Sequence, residues 1–238
     1  MIGFERPITN LRALARTLGL IPYLDRVRNL LRHLRGEVDP ELRFSRALMR
    51  QVRGSDVVWD IGANVGTYTL PLSDAVADGG RVIAFEPLPT CFAALQQRCA
   101  GRSNVHPLQV ALGDRGGSAR LSVNGDELST TSSLFVAPGA TTIEVPIATG
   151  DTLVAEGEVP APHVIKIDVE GFEEEVLRGI EHLLDRPECR AVLCEVHFKI
   201  LDERGERHAP SRIVQRLRRH GFATRWIDAS HVAALRES

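Results

Sequence analysis

At 238 residues the chain can hold one large α/β domain, or one domain with an appendage. Its composition, 43% hydrophobic and 25% charged, is that of an ordinary globular protein and argues against a disordered or fibrous chain. The net charge of −2 gives no reason to expect a nucleic acid or an anionic membrane as partner.

No apolar run approaches the ~18 residues that span a bilayer. Met1 to Asn10 lack the apolar core of a secretion signal, so a cytoplasmic location is expected. Cys91, Cys99, Cys189 and Cys194 form no CxxC pair and no zinc pattern, and read as small buried thiols in a reducing compartment.

Residues 9–35 show helical periodicity, with Leu11, Leu14 and Leu18, then Leu24, Val27, Leu30, Leu31 and Leu34. Pro22 separates the two runs, and arginines fill other positions. Residues 1–50 are therefore expected to form a helical segment, its leucines on the parent domain and its arginines in water. The alternative is a basic amphipathic helix on a membrane or acidic partner.

Residues 51–238 read as one domain. Strands are expected at Val57–Ile61, Arg81–Glu86, Val105–Val110, Val164–Val169 and Ala191–Val196, and helices at about 65–77, 89–101, 171–185 and 210–220. That alternation predicts a mostly parallel sheet covered on both faces. Residues 117–147 break the rhythm with two β-like pieces, Ser118–Val123 and Thr142–Ile147, around a loop containing Ser129–Ser133. The segments Phe222–Ile227 and His231–Leu235 read as a closing hairpin, which brings the strand count to seven.

The most informative stretch runs from Asp56 to Leu70. A strand ends at Asp60–Ile61, and the chain turns through Gly62-Ala-Asn64-Val-Gly66 into a helix. The glycines would let backbone approach a ligand closely, so a side chain at Gly62 is expected to block the ligand and leave the fold intact. The next strand ends in Glu86, an acid placed to accept hydrogen bonds from a ribose diol. A dinucleotide site needs GxGxxG and room for a pyrophosphate. GxNxG beside the Asp60 carboxylate instead suits the ammonium and sulfonium charges of S-adenosylmethionine (SAM).

The stretches WDIGANVGTYTL, AFEPLPTCFAAL, NVHPLQVALGD, IKIDVEGFEEEVLRGI and LCEVH follow in order over roughly residues 50–200. Together they resemble the FkbM family of SAM-dependent methyltransferases. The resemblance implies a doubly wound, mostly parallel seven-stranded sheet of the Rossmann-like class I methyltransferase type. It also implies O-methylation of a sugar, polyketide or other secondary metabolite, with S-adenosylhomocysteine as by-product. By matching position, Asp60, Gly62, Asn64 and Gly66 would line the methionine end, Glu86 the ribose, and Ala111 and Leu112 the adenine. The competing readings are a nicotinamide-dependent oxidoreductase and a non-catalytic SAM-fold module.

An alcohol is a poor nucleophile until its proton is taken, so a base or a metal ion beside the acceptor is chemically reasonable. Period-two alternation puts Lys166, Asp168 and Glu170 on one side of the fourth strand, and Glu195 and His197 together at the end of the fifth. Lys166 fits a structural ion pair, whereas Asp168, Glu170 and His197 are the catalytic candidates. His197, with an unperturbed pKa near 6.5, is expected to be the general base. Asp168, Glu195 and His197 could instead hold a divalent cation, although no metal is assigned. The acceptor is expected to be a small molecule or glycan, and the oligomeric state is not indicated.

Overall fold

The computed structural model describes residues 39–76, 79–123, 132–133 and 141–236. The helical periodicity at 9–35 and residues 129–131 of the serine-rich loop lie outside the described residues. Contacts divide the chain into two compact units, Met1–Arg43 and Phe44–Ser238, and the sheets and the cleft belong to the second.

The main sheet uses β1 (Val57–Ile61), β2 (Arg81–Phe85), β3 (Val105–Leu108), β8 (Val164–Ile167), β9 (Ala191–Glu195), β10 (Ala223–Trp226) and β11 (His231–Leu235), in the order β10-β11-β9-β8-β1-β2-β3. All pairings are parallel except β9–β11 and β10–β11. β1, β2, β8 and β9 are apolar runs because both faces are covered. Val58, Val82, Val164 and Leu193 meet Phe44 and Leu48 of α1 (Pro40–Met49) and Leu72 of α2 (Thr69–Ala75). Ile61, Ile83, Ile165, Ile167, Val192 and Cys194 share a second core with helices that follow later in the chain. Those helices are α4 (Gly150–Ala155), α5 (Glu173–Arg178), α6 (Glu181–Leu184), α7 (Phe198–Glu203) and α8 (Ala209–Arg219). Helix α3 (Pro89–Arg98) packs Leu95 against Ala63 and Ala84.

A second sheet, β4-β7-β5-β6, comprises β4 (Ala111–Leu112), β5 (Gly117–Val123), β6 (Ser132–Ser133) and β7 (Thr141–Ala148). Both β-like pieces thus form strands, paired antiparallel with each other. The expected helix at 171–185 is broken into α5 and α6 at Gly179, where a Cβ would fall 1.9 Å from the Gly113 carbonyl oxygen. Helix α2 starts at Thr69 and not near residue 65, since residues 64–68 stay in the turn. The four cysteines are buried and free. Burial raises each of their thiol pKa values, Cys189 to about 12. Among the described residues no helix is long and apolar enough to cross a membrane.

Candidate functional site: a cleft at the sheet's switch point

The chain leaves β1 toward β2 and β3 on one side and returns to β8 on the other, so the carboxyl ends of β1 and β8 flank a topological switch point. A cleft opens there, holding about 670 Å³ of empty space, part of it open to solvent. Its walls include Gly62, Asn64, Phe85, Glu86, Ala111, Leu112 and Leu121 on one side and Asp168, Val169 and Glu170 on the other. Of the positions matched to cofactor contacts, Gly62, Asn64, Glu86, Ala111 and Leu112 therefore line one cavity. Asp60 and Gly66 do not.

Glu86 is 5% exposed, and its carboxylate accepts the Asn64 amide at 2.8 Å and the Leu88 amide at 2.9 Å. It pins the turn, in which Asn64 takes φ +50°, and keeps free lone pairs toward the cleft. Burial raises its pKa, partly offset by the two amides and by Lys166. Glu86→Gln should weaken SAM binding by roughly 1.5–3 kcal/mol, the range for a charge-assisted hydrogen bond. Wild-type affinity should fall on acidification at a higher pH than an ordinary glutamate would give. Calorimetry showing unchanged affinity in the variant would remove Glu86 from the ligand contacts.

Asp60 is fully buried beneath the turn. It accepts the Thr69 hydroxyl at 2.6 Å and lies 3.0 Å from the Lys166 ammonium. Lys166 also donates to the Gly62 carbonyl at 2.8 Å and lies 3.6 Å from Asp168. Burial disfavours the ammonium, but Asp60 and Asp168 outweigh it and hold the lysine pKa above its ordinary value. The Asp60 charge is thus met by Lys166 inside the protein. The carboxylates that line the cleft are Glu86, Asp168 and Glu170.

The expected independence of Gly62 from the fold is not what the structure shows. At φ +78° a Cβ there would lie 1.8 Å from the Asp168 carbonyl oxygen, so the glycine lets β1 pass the end of β8. Gly62→Ala should cost roughly 2–3 kcal/mol through backbone strain and overlap. A urea midpoint equal to wild type would refute this. Gly66 makes room for Leu95 of α3.

At the other end of the cleft, strand β8 stops at Ile167, and Glu170 sits in a turn at φ +50°. Strand alternation therefore does not place Glu170, yet the turn delivers it to the same cluster. His197 Nε2 lies 3.4 Å from Glu170, 3.6 Å from Asp168 and 3.9 Å from Glu195, and Nδ1 meets Glu173 at 2.6 Å. Glu173 is fully buried and also accepts the Gly171 amide. Arg204 braces the turn through the Gly171 carbonyl, Glu175 and the Phe172 ring. Burial alone would lower the His197 pKa, but the Glu173 hydrogen bond and the surrounding carboxylates raise it to about 9. These partners favour the imidazolium, whereas a base titrating near 6.5 was expected from the sequence.

Glu173 and His231 escaped the sequence reading. Glu173 opens an acidic run, Glu173–Glu175, that looks like the solvated first turn of a helix. His231 is 2% exposed, lies 2.8 Å from Asp228 and 3.5 Å from Glu195, and so flanks the cluster as a second histidine. The ligand atoms of Asp168, Glu170 and His197 lie within 4.8 Å of one another, a spacing that can take a cation. An acidic cluster of this kind also stands without one.

A seven-stranded sheet in this order, with a turn-lined cleft at the switch point and an acid closing its second strand, defines a class I methyltransferase fold. The model of the FkbM methyltransferase domain matches residues 60–223, and the chain belongs to that family. It is 35% identical over 173 residues to a hexuronic acid methyltransferase of Haloferax volcanii, covering 70% of this chain and 65% of that protein. It is 33% identical over 206 residues to the 31-O-demethyl-FK506 methyltransferase of Streptomyces tacrolimicus, covering 72% of this chain and 74% of that one. The crystal structure of an FkbM methyltransferase from Methylobacillus flagellatus superposes with a TM-score of 0.54 at 17% identity, over 84% of this chain and 51% of the other. The chain thus spans just under two thirds of the first of these relatives and about half of the crystallised one.

Proposed function

We propose that this chain transfers the methyl group of SAM to a hydroxyl of a glycan or other small acceptor, releasing S-adenosylhomocysteine. The observation that carries the reading is one cleft with a ribose-type carboxylate, Glu86, at one end and a carboxylate–imidazolium cluster, Asp168–Glu170–His197, at the other. The chemistry of the lining fits the cofactor. Leu112, Leu121 and Phe85 are apolar enough for a purine, and Asp168 and Glu170 suit a cationic ligand. Bound SAM supplies a methyl group on a sulfonium, ready for in-line displacement.

The residues of the chain align the acceptor and manage its proton. Asp168 and Glu170 face the cleft and can accept the hydroxyl hydrogen bond. Burial raises the Glu170 pKa against the opposing pull of the His197 charge, which suits Glu170 to accept a proton. The His197 imidazolium, tied to buried Glu173, holds these carboxylates together and offsets their mutual repulsion. The relatives are named for a hexuronic acid and for 31-O-demethyl-FK506, which supports a hydroxyl acceptor and S-adenosyl chemistry of the EC 2.1.1 type. The buried free thiols suit a reducing compartment, and a cytoplasmic site of action belongs to the same proposal.

Thermal shift should show stabilisation by SAM and S-adenosylhomocysteine but not by NAD, and a response to NAD would favour the oxidoreductase reading. Formation of S-adenosylhomocysteine only when a hydroxylated acceptor is present would separate an enzyme from a binding module. Loss of activity with a chelator and its return with Mg²⁺ would put a cation at Asp168, Glu170 and His197 in place of the imidazolium.

A further inference from the structure

Phe198 and Trp226 are 44% and 43% exposed, and they touch, with ring centroids 5.7 Å apart and planes inclined at 38°. Single exposed apolar side chains are ordinary, but two exposed aromatic rings in contact present a small stacking surface. Its position is fixed by the fold. Phe198 is the residue after His197 and opens α7. Trp226 ends β10, opposite Val232 of β11, which in turn lies opposite Cys194, the residue before Glu195. The pair therefore lies on the same carboxyl rim of the sheet from which Glu195 and His197 emerge, on the side away from β2 and Glu86.

We propose that Phe198 and Trp226 form the floor on which a pyranose ring of the acceptor lies while its hydroxyl reaches the Asp168–Glu170–His197 cluster. This rests on the function proposed above and narrows its acceptor to a sugar. A pyranose has one face rich in C–H groups and a rim of hydroxyls. Aromatic faces carry partial negative charge and attract such C–H groups, without needing the hydroxyls to be desolvated. The surroundings match that division. Lys199, next to Phe198 in sequence, has a side chain 79% exposed and lies 3.7 Å from Glu203, and this charged pair offers a donor and an acceptor to sugar oxygens. A larger and mainly apolar acceptor would call for a wider apolar patch than two rings edged by charge.

The chain has two tryptophans, and Trp59 is fully buried, so a change in emission caused by a surface ligand reports Trp226. Titration with methyl β-D-glucuronide and methyl β-D-glucoside, in the presence of S-adenosylhomocysteine, should quench wild-type fluorescence but not that of Trp226→Phe. In turnover assays with the same glycosides, Trp226→Ala and Phe198→Ala should each raise the acceptor KM by roughly five- to twentyfold. Turnover number and SAM affinity should stay within about threefold, the signature of lost acceptor binding alone. Trp226→Phe should recover most of the KM. Methylation of a glycoside with unchanged KM in both alanine variants would overturn the floor and leave the methyltransferase reading standing. Wild-type protein forming no S-adenosylhomocysteine with either glycoside would overturn the sugar reading and the floor together. A shift from dimer to monomer in Trp226→Ala, with KM unchanged, would mean that the pair is covered by a second copy of the chain.

Discussion

His197→Gln should lower the rate of methyl transfer by about 10²–10⁴-fold while SAM affinity moves by less than about threefold, under ~0.7 kcal/mol. Glutamine keeps a donor for buried Glu173 and removes only the charge, whereas alanine would strip Glu173 of its partner as well. The pH dependence separates the imidazolium from a base. If the charge organises Asp168 and Glu170, wild-type turnover falls as pH rises through the His197 pKa of about 9, and the limb vanishes in the variant. A limb in which activity rises near pH 6.5 would restore the neutral-base role. Stability should follow the same group. Its folded pKa of about 9 exceeds the ordinary 6.5, so its contribution is complete below about pH 6.5 and fades as pH climbs to 9. About 3 kcal/mol rides on that window. Urea midpoints that are flat from pH 6.5 to 9, or that drift equally in His197→Gln, would contradict the assignment.

Lys166→Met should destabilise the fold by about 3–5 kcal/mol, because it leaves Asp60 buried with its charge unmet. Asp60 is fully buried, and its side chain is met by the Lys166 ammonium and the Thr69 hydroxyl. Methionine matches the lysine stem in volume, so packing changes little. The double variant Lys166→Met with Asp60→Asn should recover part of the loss, since the two residues act as one unit. Additive losses in the double variant, or a Lys166→Met protein as stable as wild type, would show that the ion pair does not support the turn. The same pair carries the Gly62 carbonyl on the lysine, so SAM binding should weaken along with stability.

Local pattern determined a good deal here. Apolar runs too short for helices marked β1, β2, β8 and β9, and the amphipathic segments between them marked helices on both faces, because covering both faces of a parallel sheet demands that rhythm. Acids and glycines at strand ends marked the cleft, and Glu86 and Asp168 do line it. Alternation also put Lys166 and Asp168 on one side, and the two lie 3.6 Å apart. What local pattern cannot express is which side chain arrives from another element. Only the assembled sheet puts Lys166 of β8 beside Asp60 of β1, and so takes the Asp60 charge out of the cleft. Only the turn after β8 brings Glu173 under His197, a contact that raises the histidine pKa. Gly62 looked like a ligand-facing glycine, yet the nearest obstacle to a side chain is the Asp168 backbone, over a hundred positions along the chain. Charge state and close contact depend on distances in three dimensions, and in this protein those distances join residues that lie far apart in sequence.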